Sequence, residues 1–125
     1  MNTIAYFEIQ VNEPKKAVHF YEEVFGWKFY KQEGLPIEYW HIETGGIMGG
    51  LLQRPAPEPG LGQGTNAFVC SAEVSNFDSI ASKIMKAGGQ VALPKFAVPG
   101  KCWQGYFLDN SGNTFGIFQV DEHAK

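Results

Sequence analysis

Hydrophobic and polar residues alternate from the start of the chain. In residues 4–11 (IAYFEIQV), Ala5, Phe7, Ile9 and Val11 form an apolar side, and Tyr6, Glu8 and Gln10 form a more polar one. That period of two predicts a strand with one face against a helix layer. Asn12 is a good N-cap and Pro14 suits a first helical turn, so a helix is expected to about Phe25, stopped by Gly26 at the C′ position. Residues 27–32, 37–44 and 47–53 then read as three strands, punctuated by Gly34, Pro36 and the Gly45-Gly46 pair.

The same order returns after a connector. Residues 54–65 (RPAPEPGLGQGT) are rich in proline and glycine and are expected to be extended and exposed. Residues 67–74 alternate again, with Phe68, Cys70, Ala72 and Val74 on one side and Ala67, Val69, Ser71 and Glu73 on the other. Ser75 is the expected cap of a second helix, with Asp78 favouring its positive start. Phe77, Ile80, Ala81, Ile84 and Ala87 form its apolar stripe, and Gly88-Gly89 ends it. Residues 90–94, 102–109 and 113–120 supply three more strands, before a polar tail at 121–125. Val11 aligns with Val74, Gly26 with Gly89 and, after a three-residue insertion, Gly50 with Gly116. The chain is therefore read as one domain of two modules, about 4–53 and about 66–120, and an internal repeat directs the search for function to repeat-related positions.

Composition narrows the classes. A length of 125 residues suits a single domain with a real core. A net charge of −3 leaves no basic footprint for nucleic acid. No apolar run reaches the length of a membrane span, and residues 1–10 lack a signal-peptide pattern. Two cysteines, Cys70 and Cys102, make no disulfide framework, so a cytoplasmic location is expected. Cys70 falls on the helix-facing side, where it should be inert, and Cys102 has no histidine base to activate it. The glycines of 45–50 and 60–64 lack the GK[ST] sequel of a phosphate loop.

The phrases AVHFYEEVFGWKF (17–29) and YFLDNSGNTFGIFQ (106–119), within this doubled order, resemble the vicinal oxygen chelate superfamily, the glyoxalase and bleomycin-resistance group. The resemblance covers roughly residues 4–120. It implies an α+β fold of two βαβββ modules forming one curved mixed sheet, a half-barrel or cup, with helices on the convex side and a ligand cleft on the concave side. It leaves activity open, since the group mixes isomerases, dioxygenases, thiol transferases and drug-binding proteins. Metal-dependent members hold their ion at two pairs of repeat-related positions. By alignment these are Tyr6, Gly50, Val69 and Gly116, which offer no normal ligand set, so no metal and no cofactor are expected.

The cleft side should carry Tyr6, Glu8 and Gln10, then Ala67, Val69, Ser71 and Glu73, and from the fourth strands Met48, Gly50, Leu52, Thr114, Gly116 and Phe118. Glu8 is the candidate acid/base, expected to be largely buried with a raised pKa; the alternative is a buried, hydrogen-bonded structural carboxylate. Tyr6 is the candidate hydrogen-bond donor, or a filler of the space a metal occupies in relatives. Glu73 is expected at the rim, and His41 as a surface or packed histidine. The paired glycines mark either close approach by a ligand or backbone, or a bend of the sheet. Trp40 is a candidate ligand contact and is matched with Tyr106, with Trp103 nearby; which side of the sheet they face is left open. The leading functional reading is a small-molecule-binding protein with a metal-free pocket. A metal-independent isomerase or lyase using Glu8 stands second, and a metal-dependent lactoylglutathione lyase or dioxygenase last. A homodimer is expected, and neither nucleic acid nor membrane as partner.

Overall fold

The computed structural model describes residues 4–60, 62 and 69–125. The chain divides into two units, residues 1–65 and 66–125. In the first, β1 (Tyr6–Val11) leads into α1 (Pro14–Phe25), followed by β2 (Lys28–Gln32), β3 (Tyr39–Glu43) and β4 (Met48–Gln53). The sheet order is β1-β4-β3-β2, with β1 parallel to β4 and the other pairs antiparallel. In the second, β5 (Ser71–Glu73), α2 (Phe77–Lys86), β6 (Gln90–Val98), β7 (Cys102–Leu108) and β8 (Thr114–Val120) repeat the order, with the sheet β5-β8-β7-β6. The fold is α+β, built of two βαβββ modules, each a mixed four-stranded sheet carrying one helix.

In module one the alternation acts as expected. Phe7, Ile9 and Val11 are covered progressively along β1 while Tyr6, Glu8 and Gln10 stay exposed. Ala17, Tyr21 and Val24 of α1 are buried, as are Ile42 and Leu51 of the sheet. Full burial of one such aliphatic side chain contributes about 1.5–3 kcal/mol. Trp27 stacks on Tyr21 at 5.3 Å and seals the helix end, where Gly26 adopts φ 70°.

Both helix starts differ from expectation. Glu13, not Asn12, precedes the first turn of α1, and it makes no side-chain cap. Asn12 instead accepts from Arg54 Nε at 2.7 Å and donates to Glu58 at 3.1 Å, so its amide ties the start of the connector to the end of β1. For α2 the cap is Asn76 rather than Ser75, accepting from the Ser79 amide at 3.0 Å. Either residue had the chemistry; the extended backbone at Asn76 decided between them.

The second alternating strand is shorter than expected. Ala67 and Phe68 lie outside the described residues, and Val69 and Cys70 precede β5. Both are exposed, so Cys70 is not on a covered face. The connector, within described residues 54–60, is irregular and mostly exposed. Among the described residues no helix is long and apolar enough to cross a membrane.

Candidate functional site

Strand pairing sets the geometry. On the face of the module-one sheet opposite its helix, Glu8 of β1 lies beside Gly50 of β4, and Gly50 lies beside His41 of β3. Tyr6 pairs with Met48, and Gln10 with Leu52 and through it Tyr39. Glycine at position 50 leaves a gap in the middle strand. The Tyr39 ring crosses that gap: a Cβ on Gly50 would collide with the Tyr39 hydroxyl and ring. The phenol thereby reaches a strand two places away and donates to Glu8 Oε2 at 2.7 Å. Tyr6 Oη lies 2.8 Å from Tyr39 Oη. A carboxylate only accepts, so Tyr39 spends its single proton on Glu8 and receives its own hydrogen bond from Tyr6. The order Tyr6 to Tyr39 to Glu8 is thus fixed by valence.

This arrangement holds the Tyr39 phenol well above the ordinary tyrosine range. Burial is the largest cause, and the hydrogen bond donated to Glu8 and the charge of Glu8 add to it. His41 abuts the Tyr39 ring edge-on at 5.4 Å, with its Nε2 2.9 Å from Gln32 Oε1.

Glu8 stands on the expected face but is exposed rather than largely buried. Its neighbours on the same face of β1, Tyr6 and Gln10, are exposed beside it. Tyr39 was not singled out by the sequence. The available signal was its parity with His41 on β3 combined with a glycine on the neighbouring strand. At Gly50 the missing side chain clears the way for the Tyr39 ring. Gly49 does the same on the opposite face, where the Phe7 ring fills the space a Cβ would need.

Module two repeats the device with other chemistry. Ser71 of β5 pairs with Gly116 of β8, and Gly116 with Tyr106 of β7. Gln104 occupies the register position of Tyr39: each pairs with the residue two beyond the glycine, Phe118 and Leu52 respectively. Gln104 Nε2 donates to Ser71 Oγ at 3.4 Å, and both atoms crowd the space over Gly116. Thr114 and Glu73 are exposed, and Phe118 is half-buried. Tyr106 stacks on Phe96 at 6.4 Å.

Trp40 does not belong with these residues. It shares the parity of buried Ile42, pairs with Leu51 and so lies on the helix side of the sheet, where its Nε1 donates to Glu38 at 2.9 Å. Nor is Trp40 the counterpart of Tyr106: register matches Tyr106 with His41, and Trp40 with Gly105. Trp103 likewise shares the parity of buried Phe107, and its Nε1 donates to Asp121 at 3.0 Å.

The positions that bear metal ligands in metal-dependent relatives do not fit an ion here. Gly50, Val69 and Gly116 have no donor atom in their side chains, and the space above Gly50 is filled by Tyr39. Tyr6 is the one remaining oxygen, and it is committed to Tyr39. A divalent metal in a catalytic site takes about three protein ligands.

A surface groove lies elsewhere, on the helix side of module two, with a volume of about 390 Å³ between Phe77, Met85, Val91, Pro94 and Phe107. Its lysine, Lys95, is paired with Asp78 at 3.2 Å and rests over Phe77 and Trp103. This apolar recess carries none of the repeat-related polar groups.

Comparison with known proteins agrees with this architecture. The chain matches the Glyoxalase/Bleomycin resistance protein/Dioxygenase superfamily over residues 3–117. It is 25% identical over 121 residues to proteins of Mycobacterium bovis and Mycobacterium tuberculosis named "Putative glyoxylase CFP32". That match covers 93% of this chain and 45% of theirs, so the chain spans less than half the length of these relatives. Among solved structures, a family enzyme from Burkholderia phytofirmans superposes with a TM-score of 0.76 at 19% identity, covering 94% of this chain and 98% of that one. The fosfomycin resistance protein FosX of Listeria monocytogenes gives 0.77 at 12% identity, covering 97% and 93%. At such identities the likeness is one of fold. With the family match spanning nearly its whole length and both modules in place, the chain belongs to the glyoxalase/bleomycin resistance protein/dioxygenase superfamily.

Proposed function

We propose that this chain binds a small organic molecule on the open face of its module-one sheet, with no metal ion, and that Glu8 is the anchoring group. The observation that carries the reading is the Tyr6–Tyr39–Glu8 chain of hydrogen bonds. It fixes one carboxylate oxygen and leaves the side chain exposed. A carboxylate held in this way is pre-organised, which lowers the entropic cost of binding. Gln10 and Met48 flank it on the same face. Ser71, Thr114, Gly116 and Phe118 stand at the matching positions of module two. Val69 there has half its surface exposed.

Thermal shift against a metabolite panel, with and without a chelator, tests this. A ligand at a hundred times its Kd adds about 2.7 kcal/mol of apparent stability. The expected result is a shift unchanged by chelator and absent in Glu8→Ala. A stoichiometric ion bound by side chains in protein purified without chelator overturns the metal-free part. Pairing of two chains is carried along on general grounds; light scattering that returns only monomer at micromolar concentration removes it.

A second reading is a metal-independent isomerase or lyase with Glu8 as general base, favoured by the fixed orientation of that carboxylate. Under it, Glu8→Gln loses turnover by far more than it loses affinity. Binding of a compound that the protein never turns over favours simple binding.

A further inference from the structure

We infer that the ligand of this face carries a nitrogen cation, an ammonium or an amidinium, that donates to Glu8 Oε1, and that Tyr39 is the residue positioning Glu8 for it. The inference rests on the reading of this face as a binding site. Its argument is the polarity of the hydrogen-bond chain. Tyr39 donates to Glu8 Oε2, and Tyr6 donates to Tyr39, so both phenolic protons are spent inside the chain. What the chain offers outward is lone pairs only: Glu8 Oε1, without a hydrogen bond among the described residues, and the oxygen of Tyr6. A site that presents acceptors selects donors.

Charge selects further. Glu8 has no ion-pair partner among the described residues. The exposed Tyr6 ring and the exposed Met48 stand beside it as neighbours across β1 and β4. A carboxylate next to an aromatic face suits an organic cation, which gains from both the charge and the ring. An anion meets repulsion from the Glu8 carboxylate.

Tyr39 acts through Glu8, not on the ligand. Its ring reaches Glu8 by crossing Gly50, and its hydroxyl has no proton left for a ligand.

The test is NMR titration of the full chain with three probes of similar size: benzamidine, phenylacetamide and phenylacetate. Benzamidine is expected to shift the Glu8 carboxyl carbon, the Tyr6 ring and the Met48 methyl, with affinity that falls as salt is raised. Glu8→Gln should weaken it roughly tenfold or more, the loss of one charge-assisted hydrogen bond. Tyr39→Phe should weaken benzamidine several-fold while the Glu8 carboxyl resonance moves toward that of a free side chain, roughly a unit of affinity logarithm or less; a merely structural Tyr39 leaves that resonance in place. If phenylacetate or phenylacetamide binds this face as well as benzamidine, or Glu8→Gln changes nothing, the cation assignment is wrong while the small-molecule reading stands. If no probe and no compound of the metabolite panel perturbs the face, both fall.

Discussion

The two modules share a backbone plan and differ in what that plan carries. In each, the strand next to the last sends a polar side chain across a glycine to the first strand. In module one the traveller is a rigid phenol and its target a carboxylate, joined at 2.7 Å. In module two it is a flexible amide and its target a hydroxyl, at 3.4 Å. Duplication has preserved the crossing point, Gly50 and Gly116, and left the chemistry free to diverge. Charge lies at the crossing of one module alone, so the two halves of the repeat are not equivalent as candidate sites.

The hairpin turns beside the crossings differ in the same sense, and they give the largest expected effect. In module two, buried Asp109 accepts from the amides of Ser111 and Asn113 at 2.8 and 2.9 Å and from Asn113 Nδ2 at 3.1 Å. In module one, Thr44 bridges the turn through its hydroxyl, donating to the Ile47 carbonyl and accepting from the Gly46 amide. Asp109→Ala strands buried donors and should cost about 3 kcal/mol, against about 1 kcal/mol for Thr44→Ala, read from urea denaturation midpoints. Equal costs would mean that the buried carboxylate does no more than the exposed hydroxyl.

Next come the glycines. Gly50→Ala drives a Cβ into the hydroxyl and ring of Tyr39, which must shift, whereas Gly116→Ala meets chiefly the ends of Ser71 and Gln104. The first should cost about 1–3 kcal/mol and detach Tyr39 from Glu8. The second should cost less than about 1 kcal/mol, offset in part by the lower backbone entropy of alanine. A Gly50→Ala protein of unchanged stability, with the Tyr39 resonance unmoved, would remove the crossing from the account.

The smallest effect is spectroscopic. The Tyr39 phenol is held protonated in the fold by burial, by the hydrogen bond it donates to Glu8 and by the charge of Glu8. A group whose pKa is raised on folding contributes stability that is fully present below its unfolded value and is lost as pH rises beyond it. Absorbance titration should therefore find Tyr39 ionising only well above the ordinary tyrosine range, with alkaline unfolding accompanying it. Tyr39→Phe should delete that late step, and Gln104→Ala should leave it untouched. A Tyr39 that ionises with the exposed tyrosines contradicts the hydrogen-bond order drawn here.

The alternation IAYFEIQV determined which face of β1 is covered, and the alignment of Val11 with Val74 extended that reading to the second module. The glycine stops and the doubled order of elements came from the same local rules. These are properties of neighbours in sequence: a period of two sorts side chains to faces whatever lies beyond. The helix caps were less legible, since Asn12 and Ser75 compete with Glu13 and Asn76 for the same place and the choice depends on backbone direction. Trp40 could be placed only once its strand was paired, because one residue of register moves an aromatic from one face to the other. Tyr39 was the least legible of all. Its role needs the diagonal from β3 over β4 to β1, a distance of more than thirty residues along the chain, and a gap that exists only where Gly50 comes to lie beneath its ring. The exposure of Glu8 was a tertiary outcome too: alternation gave its face, but how far that face is covered depends on what packs against it, which neighbours in sequence do not specify.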